Sequence, residues 1–178
     1  MDDDHAARAD HGGKKQRALW RALRYSWIDG WSGHVGEPWD EEWSTEVLQS
    51  APFTYLNWLT AESHFGGRLA ILAHIESGLY IEPGLSSNEG ELLVPDASLE
   101  SLPTGLVERL ELHLESGSGY CVEVLLTIAG RPLLIVAGDV VEGQVRWLDE
   151  ELLVFEQPSD AARVPWRDPR DFHVLEID

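Results

Sequence analysis

Apolar residues recur at intervals of four near the N-terminus, which is the spacing of an amphipathic helix. In the run 14–30, the apolar positions Leu19, Leu23 and Trp27 follow one another at this interval. Gly30 is placed to end the helix, because glycine readily adopts the left-handed conformation found at a helix C-terminus. The pattern therefore predicts a helix over residues 14–30 with Trp27 in its buried face.

Two further helices are predicted in the next part of the chain. Pro38 suits the first turn of a helix, and an apolar stripe follows it at Trp39, Trp43 and Val47. The run 53–63 is predicted to be a third short helix, although its aromatic residues leave a strand open as the alternative.

The rest of the chain favours strands, with apolar and polar positions alternating in several runs. Two apolar runs separated by residues 76–78 predict a hairpin, and a short strand is predicted over 91–95. The C-terminal half contains four apolar runs with short turns between them, which predict an antiparallel meander. In the third of these runs, residues 133–137 are all apolar, so both faces of that strand are expected to be covered.

These elements predict an α+β fold, in which two or three N-terminal helices pack on a mainly antiparallel sheet that ends in the four-strand meander. The chain has 178 residues, which is long enough for one domain with its own core. Residues 1–13 are polar and are predicted to be a flexible N-terminal tail, so residues 14–178 form the single domain. The helices are expected to cover the buried face of the sheet.

Charge is the strongest feature of the composition. The chain has a formal net charge of −19, and residues 25–178 contain twenty-eight acids and seven bases, which gives −21. A body of this charge repels nucleic-acid phosphates and anionic membranes, so neither is an expected partner. It attracts a basic protein and steers the encounter. The simpler interpretation is that the acidity only maintains solubility or reflects a salty cytoplasm, because net charge acts on solubility before it acts on partners.

The cysteine content and the N-terminal sequence indicate the compartment. Cys121 is the single cysteine, so an internal disulfide is excluded. The apolar runs are far shorter than a membrane span requires, and residues 1–15 lack the apolar stretch of a secretory signal. The chain is therefore expected to be cytoplasmic.

No catalytic or cofactor motif is recognisable. The glycine-rich run after the first helix lacks the lysine and hydroxyl of a phosphate-binding loop, and no metal-ligand spacing is present. A three-residue hairpin loop after Glu115 would place His113 opposite Cys121, beside Glu111 and Glu123. Carboxylates raise the pKa of a nearby thiol, so we expect an exposed polar face there rather than a thiol site. No metal or cofactor is predicted, and an enzyme is disfavoured without being excluded.

Two acidic patches are the candidate partner-binding sites. The first consists of Trp31, Asp40, Glu41 and Glu42, and the second of Asp149, Glu150 and Glu151. Trp31 lies on no apolar stripe and is therefore predicted to be an exposed anchor, the kind of residue that dominates many interfaces. The three acids of the second patch interrupt the last strand, which predicts a bulge or turn at the sheet edge.

In size, acidity and lack of a catalytic motif, the chain is similar to the immunity proteins, the small acidic proteins that bacteria pair with toxins. The similarity covers no motif. It implies a non-enzymatic protein that neutralises or regulates a basic protein partner, such as a toxin, by occluding its active surface. One alternative is a small-ligand-binding or enzymatic α+β domain with a pocket between helices and sheet, lined by His64, His74 and Tyr80. Another is a nucleic-acid mimic with evenly spaced carboxylates.

Overall fold

Strands dominate the computed structural model, with 55% of residues in strands and 16% in helices. The structure describes residues 3–36, 41–64, 67–84 and 97–178, with side chains described from residue 13 onward and not for 41–45. In chain order the elements are α1 (Asp3–Arg24), β1 (Trp27–Val35), α2 (Glu41–Ser50), β2 (Thr54–Ser63), β3 (Arg68–His74), β4 (Gly78–Pro83), β5 (Ala97–Ser98), β6 (Gly105–Glu115), β7 (Cys121–Ile128), β8 (Arg131–Val141), β9 (Gln144–Trp147), β10 (Glu151–Phe155), a 3₁₀ helix (Pro158–Arg163) and β11 (Phe172–Glu176).

Six of the strands form a closed antiparallel barrel. Its order is β1–β2–β10–β8–β7–β6, and β6 pairs again with β1 to complete the ring. The predicted α+β fold is therefore wrong. A closed sheet covers its apolar face with its own opposite wall, so the helices are not needed as a separate covering layer.

The hairpin β3–β4 extends one side of the barrel and confirms the strands predicted on either side of residues 76–78. Strand β2 pairs with β10 at residues 54–56 and with β3 at residues 59–62, along the same edge. At its other side the hairpin meets the barrel at Gly78, which pairs with Cys121 of β7. A Cβ at Gly78 would lie 2.2 Å from the Cys121 carbonyl oxygen, and its φ of 71° also favours glycine.

The barrel interior is a packed apolar core. Alternate residues of the barrel strands point into it and are fully buried, among them Leu56, Leu110, Val124, Leu126, Ile128, Leu133, Ile135 and Leu152. A second apolar cluster lies on the outer face of β8 and β10, where Leu134, Val136, Leu153 and Phe155 are covered by β9, the 3₁₀ helix and the C-terminal residues. Residues 133–137 are therefore buried on both faces, as predicted.

The first helix differs from its prediction at both ends. α1 begins at Asp3, within the predicted tail, and ends at Arg24 instead of continuing to Gly30. Its inner face packs Trp20 and Leu23 into the barrel core.

The two tryptophans that follow α1 have exchanged the roles predicted for them. Trp27 begins β1 and is 51% exposed, whereas Trp31 is only 3% exposed. The Trp31 indole Nε1 donates a hydrogen bond to the Pro103 carbonyl at 2.7 Å. A bulge between Ile28 and Gly30 explains the exchange, because it shifts the alternation of β1 and brings Trp31 inward.

The predictions for residues 38–63 and 91–95 have different outcomes. Residues 53–63 form strand β2 rather than a third helix, and the alternative prediction of a strand was the correct one. The helical prediction that contains Val47 is confirmed by α2. Pro38, Trp39, Asp40 and the predicted strand 91–95 lie outside the described residues, as do the side chains of Glu41, Glu42 and Trp43.

The meander is present as β6, β7 and β8, followed by two short strands in place of the predicted fourth. In the sheet β8 lies between β9 and β10 and pairs with both at Gly138, and residues 148–150 connect the two short strands. Leu148 in this connection has a φ of 62°. The predicted interruption of the last strand is therefore confirmed at Asp149 and Glu150, whereas Glu151 belongs to β10, which pairs with both β2 and β8 and is not at the sheet edge.

The exchange of Trp27 and Trp31 gives a direct test. Trp31→Ala removes a buried ring and leaves the Pro103 carbonyl without its donor, so we expect the free energy of unfolding to fall by about 3–5 kcal/mol. Trp27→Ala is the matched control and should cost less than about 1 kcal/mol. Urea denaturation followed by circular dichroism measures both, and equal losses would contradict the described placement of the two rings.

Candidate acidic binding site

Carboxylates cluster around the turn between β9 and β10. Asp149 accepts a hydrogen bond from the Glu150 backbone N–H at 2.9 Å, which stabilises the turn. The next residue, Glu151, begins β10 and lies opposite Gly138 of β8. Asp139 follows Gly138, so two strands bring a fourth acid to the three that are adjacent in sequence. We call Asp139, Asp149, Glu150 and Glu151 the acidic cluster.

Glu151 is the member of the cluster whose ionisation is most affected. The side-chain amide of Asn57 donates to both of its carboxylate oxygens, at 2.9 and 2.8 Å. Burial and then the charge of Asp139 raise the pKa of Glu151 to about 7, and Glu150 and Asp149 add to the rise. These charges outweigh the Asn57 hydrogen bond, so the carboxyl titrates near neutral pH.

Asp139 is the buried member, at 6% exposure. The Tyr55 hydroxyl donates to its Oδ1 at 2.5 Å, and the Val140 N–H donates to the same atom at 2.6 Å. Burial raises the pKa of Asp139 in spite of these two hydrogen bonds. Burial and the bond to Asp139 also raise the pKa of Tyr55, which keeps its phenol protonated as a donor.

One arginine faces the cluster. Arg146 of β9 pairs with Asp139 of β8 across the two strands, and its charge lowers the pKa of Asp139. Its Nε is buried without a hydrogen-bond partner. Among the described residues, this single guanidinium beside four carboxylates leaves the cluster with an excess of negative charge, which favours a cation over an anion at this surface.

The structure places only part of the predicted sites at this cluster. Trp31 is a core residue, so its prediction as an exposed anchor is wrong. Glu41 and Glu42 begin α2, but their side chains and the whole of Asp40 lie outside the described residues. Asp149, Glu150 and Glu151 come together as one patch.

The three residues of the alternative pocket do not converge. His64 follows β2 and lies 3.2 Å from Asp29, whereas His74 is the last residue of β3 and accepts a hydrogen bond from the Glu76 N–H. The length of β3 separates the two histidines by roughly 20 Å. Tyr80 lies on β4, opposite Leu72, and the three side chains do not share one pocket.

Tyr55, Asn57 and Asp139 are site residues that the sequence pattern did not reveal. Tyr55 and Asp139 are 84 positions apart, and only the closed barrel brings them into contact. One signal was present, because Asp139 is the lone acid in a strand predicted to be covered on both faces. A buried acid needs a partner, which is a reason to inspect such a position.

The predicted pairing of His113 with Cys121 is wrong by two positions. His113 lies opposite Glu123, and Leu114 lies opposite Cys121, because the hairpin loop is longer than three residues and the register shifts between His113 and Leu114. The face is not an exposed polar surface either, since His113 and Glu123 are buried. Burial and then the charge of Glu123 raise the pKa of Cys121, which disfavours a reactive thiolate as expected.

Comparison with known proteins adds no family. The chain matches no family model, no curated protein and no solved structure. In the described part of the chain, no group of three or more histidine, cysteine or carboxylate side chains is arranged to hold a metal ion. No described helix is both long and apolar enough to cross a membrane.

The raised pKa of Glu151 predicts a stabilising substitution. The folded state resists ionisation of this carboxyl, so wild-type stability should decline as the pH rises from the ordinary pKa of 4.5 to about 7. Glu151→Gln removes the charge and should raise the free energy of unfolding at pH 8 by about 1 kcal/mol, allowing for partial exposure. The gain should vanish at pH 4.

Urea denaturation at both pH values measures this effect. The matched control is Glu150→Gln, which removes an exposed neighbouring charge and should change stability by less than about 0.5 kcal/mol. A Glu151→Gln protein that is no more stable than wild type at pH 8 would contradict the electrostatic description of the cluster.

Proposed function

We propose that this protein is a non-enzymatic acidic binding protein that neutralises or regulates a basic protein partner, in the manner of an immunity protein. The observation that carries the proposal is the acidic cluster, in which burial and then the charges of the three neighbouring acids raise the pKa of Glu151 to about 7. A lysine or arginine of a partner would relieve this repulsion. The site therefore gains most from a cationic ligand.

The distribution of arginines supports the same conclusion. Residues 25–178 contain seven arginines and no lysine. Four of these arginines form ion pairs with carboxylates of the same chain, namely Arg68, Arg109, Arg163 and Arg170. The twenty-eight acids of this region far outnumber these internal partners, so the surface keeps a negative potential that accelerates encounter with a basic protein.

The alternatives receive less support. A nucleic-acid mimic needs evenly spaced rows of carboxylates, whereas Asp139 and Asp149–Glu151 form a compact group. An enzyme or small-ligand-binding protein needs convergent polar groups in a pocket, but His64, His74 and Tyr80 are dispersed and the barrel interior is filled by apolar side chains.

The first test is association with a cationic partner. In a pull-down from the source cells, the protein should capture a basic protein at about 50 mM NaCl and release it at about 500 mM, because salt screens charge attraction. With that partner, the triple substitution Asp149→Asn, Glu150→Gln, Glu151→Gln should slow association about tenfold.

The control variant removes the same number of negative charges at positions outside the acidic cluster. It replaces the exposed acids Glu76, Glu82 and Glu100 by glutamine. A similar loss in both triple variants would show that only the overall charge matters, and the acidic cluster would then not be the binding site. A protein that captures no partner in a salt-sensitive manner would refute the proposed function.

The pH dependence of binding is a second test. A cationic group that binds beside Glu151 favours its ionised form, so affinity should rise as the pH increases from about 6 to about 8, through the pKa of about 7. Isothermal titration calorimetry at both pH values measures the change. Glu151→Gln should remove most of this pH dependence, and a variant that keeps it would argue against contact between the partner and Glu151.

A further inference from the structure

A second constellation of charged side chains is buried on the outer face of the barrel around Glu123. This residue is 0% exposed. Arg170 donates to both carboxylate oxygens, from Nε at 2.6 Å and from Nη2 at 2.7 Å. His113 Nδ1 donates at 2.9 Å and Trp147 Nε1 at 3.0 Å. Arg170 and Glu123 therefore form a bidentate carboxylate–guanidinium pair.

Aromatic rings surround the guanidinium. Its central carbon lies 5.3 Å from the ring centre of Trp166 and 5.8 Å from that of Phe172. Phe172 in turn stacks on His113, with ring centres 4.4 Å apart and planes inclined by 7°. A carboxylate flanked by aromatic rings favours arginine over lysine. Only the guanidinium is planar, so only arginine can donate two parallel hydrogen bonds to the carboxylate and stack on the rings.

The two halves of this constellation belong to different parts of the chain. Glu123, His113 and Trp147 lie on β7, β6 and β9, whereas Arg170 and Phe172 belong to residues 167–178, which we call the C-terminal segment. The barrel residues contact one another without Arg170, since His113 and Trp147 both donate to Glu123. Two of the four hydrogen bonds to the carboxylate therefore come from β6 and β9, and the other two come from Arg170.

The C-terminal segment lies on the barrel as an added edge strand. Among the described strands, β11 pairs with β6 alone. Its outer side chains face solvent, with Val174 53% exposed, while Leu175 and Ile177 pack against the barrel core. Addition of a strand to a free sheet edge is a common mode of peptide recognition, in which side-chain pockets supply the specificity.

We propose that Glu123, His113, Trp147 and the edge of β6 form a recognition site for an arginine-bearing extended segment of a basic protein, and that the C-terminal segment occupies this site intramolecularly. This inference rests on the proposed function and names the group by which the partner is held. The recognised segment carries an arginine, an aromatic residue two positions after it, and aliphatic residues five and seven positions after it. This is the spacing of Arg170, Phe172, Leu175 and Ile177.

Charge complementarity identifies the recognised group as a cation, which the C-terminal segment supplies from Arg170 although its two arginines are outnumbered by four acids. The site places a buried anion on a body whose residues 25–178 have a net charge of −21. Burial alone would raise the pKa of Glu123, but the hydrogen bonds from His113 and Arg170 outweigh it and hold the pKa below its usual range. The carboxylate is therefore charged at neutral pH and needs a guanidinium, which the C-terminal segment or a partner can supply.

The experiment uses the full chain with Arg170→Gln, in which the intramolecular occupant is weakened. The probe is a synthetic peptide of residues 165–178. Isothermal titration calorimetry should show that this peptide binds at least about tenfold more tightly than versions with citrulline or lysine at position 170. Adding Glu123→Gln to the variant should abolish the preference for arginine. Equal binding of the three peptides, or no binding of any, would overturn the proposal.

A measurement on the wild-type chain covers the case in which Arg170→Gln does not fold. Hydrogen exchange of Phe172–Glu176 is followed by mass spectrometry with an excess of the same peptide carrying a ¹³C label. The label separates peptide from protein. Displacement should accelerate exchange in β11 and leave β7 and β8 unchanged, whereas unchanged exchange in β11 would identify the C-terminal segment as a permanent structural strand.

Two further outcomes separate this inference from the function on which it rests. If Glu123→Gln, folded by circular dichroism, captures the cationic partner as well as wild type does, the recognition site is refuted and the proposed function stands. If light scattering shows a dimer that depends on Arg170, the occupant is a second copy of this chain, and the assignment to a basic partner is overturned.

Discussion

Closure of the barrel is the constraint on which the rest of the structure depends. The ring is completed by two residue pairs, Trp27 with Leu106 and Ile28 with Gly105. Gly105 has a φ of 121°, and a Cβ there would lie 2.9 Å from the Ala129 Cβ, so the closing corner needs glycine. Because the sheet closes, one face becomes a dry interior and every polar group must lie on the outer face, at the rim or in a turn.

The outer face buries charge in two places, and the balance of charge differs between them. Glu123 receives hydrogen bonds from Arg170, His113 and Trp147, and its pKa is held low. Glu151, in contrast, has one amide donor and several acidic neighbours, and its pKa is raised. The first carboxylate is paired with Arg170, whereas no ion pair with Glu151 is found among the described residues. This contrast explains why the acidic cluster is the site proposed for the initial encounter with a partner.

We propose that the overall charge and Glu123 have different roles in binding a basic protein. The excess charge of residues 25–178 accelerates encounter but selects little, because long-range attraction acts on any cation. Selectivity requires directed contacts, and the two parallel hydrogen bonds between a guanidinium and Glu123 are directed contacts. The same carboxylate binds Arg170 of the C-terminal segment, so the attachment of this segment and the proposed recognition of a partner depend on one residue.

The sequence by itself determined some of the local elements, but not the end of α1 or the strand β2. The alternation from Leu110 to Glu115 and the apolar run 133–137 each depend on neighbours within one hairpin. The roles of Trp27 and Trp31 could not be predicted, because a four-residue interval fits a helix and a bulged strand equally well. The contact between Tyr55 and Asp139 was equally inaccessible. Periodicity indicates which face of an element is apolar, but only the tertiary structure decided what covers that face, because barrel closure joins residues that no local pattern connects.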